Sequence, residues 1–144
     1  MFDIARIVLT VVILGFSAVP AYADFNKTHA TNPKWTPHAR YHVVWQVASY
    51  IGIGLVALGL LWIPGAGSVL RAYLAALLAL CVYGGFYVAA ASMRLYGGRL
   101  YDDNGYPPVP VKVMGRERRI DLNVTVFSTF VLLGLCGVGL VAAS

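Results

Sequence analysis

Long apolar runs alternate with shorter polar segments along this chain, and four of the runs are about as long as a membrane-spanning helix, which needs about 20 residues. A bilayer core holds no water for unpaired backbone groups, so runs of this length and type are expected to be helical. The pattern predicts an all-α fold, an integral membrane bundle of four transmembrane helices in a single domain, residues 1–144. The predicted spans are residues 4–23, 41–62, 69–92 and 122–143.

The polar residues at the start of three runs predict where the helices begin. Thr36 followed by Pro37 is a typical N-cap and first helical position, and Ser68 and Asp121 are the expected N-caps of the third and fourth helices. With four spans, the two long polar segments, residues 24–42 and 93–120, lie on the same side of the membrane. We expect them to form a polar cap on the bundle.

Composition and charge agree with a membrane protein. Hydrophobic residues make up 59% of the chain and charged residues 12%, against about 25% charged in soluble domains. No Asp, Glu, Lys or Arg lies near the centre of a span, which argues against an ion pump or a proton-coupled transporter. We therefore expect a multi-pass protein, and place it in a bacterial inner membrane.

The basic residues are distributed unevenly between the two faces. Nine of the eleven lie in the polar cap, leaving Arg6 and Arg71 at the other end. The positive-inside rule then predicts a cytoplasmic cap that attracts anionic lipid. Nucleic acid is not an expected partner, because the only basic cluster, residues 116–119, lies next to a span, where such clusters usually set topology.

The end of the first run carries a second, conflicting signal. Ala21, Tyr22 and Ala23 before Asp24 match the A-x-A pattern of a signal-peptidase site. Cleavage there would remove the first span, whereas the charge distribution favours a retained helix. We favour retention, and the intact mass of the purified protein is the test.

All three histidines lie in one polar segment. His38 and His42 are four residues apart on one face of the second helix, and His29 and Asp24 precede them in the linker. Imidazoles and a carboxylate in this arrangement can bind zinc or another divalent metal. Asp102 or Asp103 is a further ligand candidate from the facing loop.

Two other roles remain open for these histidines. They are also expected at the membrane interface, hydrogen-bonded to headgroups within an aromatic belt of Trp35, Tyr41 and Trp45. A single histidine could instead act in acid–base chemistry.

A second set of residues suggests a site for a lipid-like ligand. Tyr83 and Tyr87 flank Gly84 and Gly85 in the third helix, where glycines leave room and hydroxyls can hold a polar end. Helix packing is the alternative role for these residues. The candidate ligand-binding residues are His29, His38, His42, Gln46, Tyr83 and Tyr87.

The stretch THATNPKWTPHARYH resembles a motif of uncharacterised small four-span membrane proteins, found in bacteria and fungi. In these proteins Thr-His, Asn-Pro, Trp and Pro-His-Ala lead into the second span. The matching positions are Thr28, His29, Asn32, Pro33, Trp35, Pro37, His38, Ala39 and His42. The resemblance implies the four-span layout and no activity.

The sequence therefore leads to two functional hypotheses. The first is an accessory subunit or a binding protein for a lipid-like ligand or a membrane partner, with the bilayer, a larger membrane complex or a second copy as partners. The second is a metal- or histidine-dependent enzyme acting on a lipid-embedded substrate.

Overall fold

The computed structural model describes residues 1–102 and 105–144, which form four long helices and one small hairpin. The helices are α1 (Phe2–Asp24), α2 (Pro37–Trp62), α3 (Ser68–Tyr96) and α4 (Leu122–Ala142), and the hairpin is β1 (Val109–Val113) with β2 (Arg116–Ile120). Each helix is long and apolar enough to cross a membrane. The predicted all-α, four-span architecture is confirmed.

The helix ends follow local chemistry. The side chain of Thr36 accepts a hydrogen bond from the Ala39 N–H at 3.2 Å, and that of Asp121 accepts from the Val124 N–H at 3.1 Å. Both predicted caps are confirmed. The predicted Ser68 cap is wrong by one residue, because Gly67 takes a left-handed φ of 72° and becomes the N-cap.

Most helix boundaries differ from the predicted spans, by one to four residues. α3 continues four residues past the predicted end at Ser92 and stops at Tyr96, where Gly97 adopts a left-handed conformation. α1 continues through the A-x-A pattern to Asp24. The hairpin is an addition to the predicted fold.

α1 is the central helix, since it packs against α2, α3 and α4. Its buried face, which includes Leu9, Val12 and Phe16, supplies much of the core. Small residues bring the other helices close. A β-carbon at Gly137 of α4 would lie 2.8 Å from the Leu9 side chain, so this close contact depends on glycine.

Two arginines form hydrogen bonds between helices at the end of the bundle opposite the cap. The Arg71 guanidinium donates to the carbonyls of Leu60, Ile63, Gly65 and Ala66, which lie at the end of α2 and in the following turn. Arg6 of α1 donates to the Leu61 carbonyl at 2.9 Å and lies 4.1 Å from the Trp62 ring centroid. These contacts satisfy carbonyls that a helix end leaves unpaired.

Candidate functional site

The linker between α1 and α2 is folded into hydrogen-bonded turns. Asn26 donates to the Ala23 carbonyl at the end of α1 and accepts from the Thr28 N–H, each at 2.8 Å. Asn32 is fully buried, donates to the Thr28 carbonyl and accepts from the Lys34 N–H, both at 3.0 Å. These asparagines fix the backbone on either side of His29.

The ring of His29 is held on several sides. Its Nδ1 lies 3.4 Å from Asp24 Oδ1 and 2.8 Å from the Thr28 hydroxyl. The edge of the ring meets Trp35 at a centroid distance of 5.2 Å, and Tyr106 stacks on it at 6.3 Å. Within the described residues, Nε2 of His29 has no hydrogen-bond partner, so this nitrogen is available to another group.

The linker contacts the loop that precedes α4. The indole Nε1 of Trp35 donates to Asp102 Oδ2 at 3.1 Å, and Asn123 at the start of α4 donates to the Leu100 carbonyl at 2.9 Å. Through the Trp35–Asp102 hydrogen bond, the linker and the loop meet at the same end of the bundle. The other loop acid considered as a ligand, Asp103, lies outside the described residues.

A cavity of about 420 Å³ extends from His29 into the bundle, and we call it the inner cavity. Its apolar walls come from α1, α3 and α4, and its polar groups gather near the cap. Gln46 donates to the Tyr50 hydroxyl at 3.1 Å on the α2 side. The lining consists of Gly15, Val19, Pro20, Ala23, Asp24, His29, Gln46, Tyr50, Phe86, Tyr106, Leu122, Asn123, Val126 and Phe127.

A second and more polar cavity of about 340 Å³, the outer cleft, lies among the linker, the loop and the ends of α3 and α4. Trp35, Arg99 and Asp102 contribute to its lining. His29, Tyr106 and Asn123 line both cavities. These three side chains therefore form the partition between the two cavities.

His38 and His42 form a separate pair. Their Nε2 atoms are 3.0 Å apart on the exposed surface of α2, and neither residue lines the inner cavity or the outer cleft. In the part of the chain that the structure describes, no three His, Cys, Asp or Glu side chains are grouped to hold a metal ion. The four predicted ligands are thus divided between two pairs, because the linker turns hold His29 against Asp24.

Tyr83 and Tyr87 do not join either pair. Tyr83 is buried, donates to the Val12 carbonyl at 2.7 Å, and borders a smaller apolar cavity of about 200 Å³ between helices. The Tyr87 hydroxyl lies 2.8 Å from the Ser128 hydroxyl on α4. Both hydroxyls are satisfied by neighbouring helices, so the contacts they make are those of helix packing.

Comparison with known families gives a match over residues 6–138, which is most of the chain. The chain belongs to DUF6640, a family of unknown function. Among curated proteins and solved structures, none matches significantly. The DUF6640 match runs from α1 through α4 and includes both cavities, and the motif resemblance stays a prediction.

Several residues around the two cavities were not predicted from the sequence. Asn123 was detectable in principle, since it is a polar residue one position inside an apolar run. Tyr50 lies four residues after Gln46, on the polar edge of α2 that His38 and His42 begin. Tyr106 gave no signal, because only the tertiary structure brings its ring onto His29.

Proposed function

We propose that this multi-pass membrane protein binds a lipid-like molecule in the inner cavity. The observation that carries the proposal is one cavity with apolar helix walls and a polar end at the Asp24–His29 pair. Its volume of about 420 Å³ falls within the 300–1,000 Å³ typical of small-molecule sites. Val19 and Val126 in its wall are 47% and 39% exposed, so a hydrophobic ligand can reach it from the surrounding lipid.

The polar end favours an uncharged headgroup. Asp24 and His29 face each other, so a charge on one side chain can be balanced by the other. The pair therefore does not require a charged ligand. Gln46 and Asn123 add amide groups that donate and accept hydrogen bonds. A hydroxyl, carbonyl or amide headgroup at these residues, with a hydrocarbon tail between Gly15 and Phe127, meets both ends of the cavity.

Photocrosslinking tests this proposal. The probe is a long-chain alcohol with a diazirine on its tail, added to the detergent-purified protein and mapped by mass spectrometry. We expect labelled peptides from residues 15–24 and 122–127. Val126→Trp on α4 and Val19→Trp on α1 add bulk to the cavity wall and should each reduce labelling several-fold.

The matched control is Leu132→Trp, on the same helix as Val126. Leu132 is 67% exposed and lines neither the inner cavity nor the outer cleft, so this variant should label like the parent. Equal labelling of all three tryptophan variants would reject the proposal. Melting curves of each variant distinguish loss of the site from loss of the fold.

The basic residues also indicate how the protein is oriented in its membrane. We place the cap in the cytoplasm of a bacterial cell, with α1 to α4 in its inner membrane, because the cap carries most of the basic residues. As an accessory subunit, the protein would present its ligand to a larger membrane complex. Purification in mild detergent tests that role, because a partner should purify together with the protein. A lone monomer that takes up no photoprobe would contradict both the subunit role and the lipid-binding role.

The second candidate is a histidine-dependent enzyme acting on a lipid-embedded substrate, and the Asp24–His29 geometry favours it. The carboxylate and the Thr28 hydroxyl engage Nδ1, which leaves Nε2 to take a proton from a bound headgroup. Turnover distinguishes the candidates. An enzyme should convert a component of lipid extracts and lose that turnover in His29→Gln while it still takes up the photoprobe, whereas a binding protein should convert none, with or without the substitution.

A metal-dependent form of this candidate would use His38 and His42. These two residues would hold a zinc ion through their Nε2 atoms, which lie 3.0 Å apart, and the ion would supply Lewis-acid chemistry. Elemental analysis of tag-free protein tests it, with His38→Ala/His42→Ala beside His29→Ala. Stoichiometric zinc lost only in the double variant supports the metal site, and zinc-free parent protein rejects it.

A further inference from the structure

The hairpin formed by β1 and β2 has two different faces. Val109, Val111 and Val113 of β1 pair with Ile120, Arg118 and Arg116 of β2, and these six side chains share one face because residues alternate along a strand. We call this the valine–arginine face. On the other face, Lys112 lies opposite Glu117 and Pro110 lies opposite Arg119.

Little of this hairpin is covered by the rest of the described chain. Every residue of β2 is exposed, as is every residue of β1 except Val111, which is partly exposed. Val113 is 49% exposed, and Met114 at the tip is 98% exposed. A hairpin of two strands is marginal in water on its own, so an apolar face left open here calls for an external contact.

The turn brings an apolar side chain to the tip. Met114 and Gly115 connect the strands as a two-residue turn in which both residues have positive φ, 49° and 77°. Such turns usually carry Asn, Asp or Gly, because a β-carbon is unfavourable in this conformation. Met114 makes no compensating packing contact inside the bundle, since its side chain is almost completely exposed.

The position of the hairpin fixes what lies next to it. β2 ends at Ile120, and Asp121 caps the first turn of α4, so the base of the hairpin is at the point where a transmembrane helix enters the bilayer. Its five residue pairs span about 17 Å at the usual rise per residue. That length lets the hairpin lie along the headgroup layer beside the bundle.

Charge indicates the occupant of the valine–arginine face. The hairpin carries Lys112, Arg116, Arg118 and Arg119 against one acid, Glu117, which lies opposite Lys112 and leaves the arginines uncompensated. Guanidinium groups bind phosphate through paired hydrogen bonds. Basic residues beside exposed apolar ones are also the composition of interfacial membrane segments.

A partner β-strand fits the hairpin less well. In a hairpin with a two-residue turn, the pair next to the turn is hydrogen-bonded, so the backbone nitrogen of Pro110 falls on the outer edge of β1. Proline has no N–H to donate there, which blocks strand addition at that edge.

We infer that the valine–arginine face docks on the anionic headgroups of the bilayer in which the protein is embedded. Arg116 and Arg118 contact lipid phosphates, while Met114 and the valines enter the boundary between headgroups and acyl chains. The hairpin is a lipid-binding element separate from the inner cavity, and it holds the loop that forms part of the outer cleft close to the membrane surface.

A fluorophore at the tip tests this inference. Met114→Cys is labelled with an environment-sensitive dye in a Cys81→Ala/Cys136→Ala background, and the protein is placed in nanodiscs of phosphatidylcholine with or without phosphatidylglycerol. The measurement is quenching of the dye by nitroxides attached to the lipids. We expect quenching to increase several-fold when phosphatidylglycerol is present, and to return to the phosphatidylcholine level in Arg116→Gln/Arg118→Gln.

Lys112→Gln is the matched control, since it removes a charge from the opposite face of the same hairpin and should leave quenching unchanged. Native mass spectrometry gives a second readout. The parent and Lys112→Gln should retain phosphatidylglycerol better than the arginine variants, by about five-fold for each arginine that is removed. Equal quenching in both nanodiscs would reject recognition of anionic lipid. Absence of quenching in both kinds of nanodisc would reject membrane docking altogether and point to a protein partner.

Discussion

Gly54 of α2 lies against Ser17 of α1 so closely that a β-carbon at position 54 would be 2.6 Å from the Ser17 β-carbon. Ser17 itself is buried and donates its hydroxyl to the Ile13 carbonyl of its own helix at 2.8 Å. Neither residue leaves room for a larger side chain on the other. The contact sets how closely α1 and α2 can approach each other.

Gly54→Val should therefore destabilise the bundle. Overpacking of this type costs about 1–3 kcal/mol, because two helix backbones have to separate. Gly52→Val is the control, since a β-carbon at position 52 on the same helix meets nothing within 4 Å. Melting temperature in detergent should fall for Gly54→Val alone, and equal shifts in the two variants would contradict the close contact.

Asn32 should be essential to the linker. Asn32→Leu leaves the Thr28 carbonyl and the Lys34 N–H without the partners they have now, in a buried position, at a cost of about 1–3 kcal/mol. We expect faster proteolysis between α1 and α2 and loss of photolabelling in the inner cavity. Thr31→Ala, at an exposed neighbouring position, should change neither, and an intact linker in Asn32→Leu would contradict this role.

Trp35→Phe tests the contact between the linker and the loop. It keeps an aromatic ring beside His29 but removes the indole hydrogen bond to Asp102. Amide hydrogen exchange in residues 97–102 should become faster, by at most about ten-fold for a partly exposed hydrogen bond. Trp45→Phe, at an exposed position on α2, is the comparison and should leave exchange in the loop as it is.

Arg71→Lys should loosen the turn between α2 and α3. Lysine keeps the charge, but its ammonium cannot reproduce the planar fork that reaches four carbonyls. We expect a lower melting temperature and faster hydrogen exchange in residues 63–67. Arg94→Lys, in the last turn of the same helix at the other end of the bundle, serves as the control. No difference between the two would show that the positive charge alone suffices.

The fold was predictable from sequence because in lipid the backbone must satisfy its own hydrogen bonds, so long apolar runs have few alternatives. Thr36 and Asp121 were predictable for a similar reason, since capping is a local interaction. The shift from Ser68 to Gly67 was not, because it depends on a left-handed backbone that glycine permits and the sequence does not require.

The site was only partly predictable. His29, Asp24 and Gln46 were selected as polar residues at the membrane face, and the structure places all three around the inner cavity. Their separation from His38 and His42 could not be derived, because it depends on how Asn26 and Asn32 fold the linker. The stacking of Tyr106 on His29 joins residues 77 positions apart, and no periodicity encodes it.

If the inner cavity binds a lipid-like molecule as proposed, the arginine contacts at the far end of the bundle affect how that ligand is exchanged. Arg6 and Arg71 tie α1, α2 and α3 together there, whereas the inner cavity lies toward the cap, with the partly exposed Val19 and Val126 in its wall. A molecule would then enter and leave near the cap, through the half of the bilayer on that side. The protein would then take its ligand only from the leaflet on the side of the cap, and a lipid in the other leaflet would have to flip before it could bind.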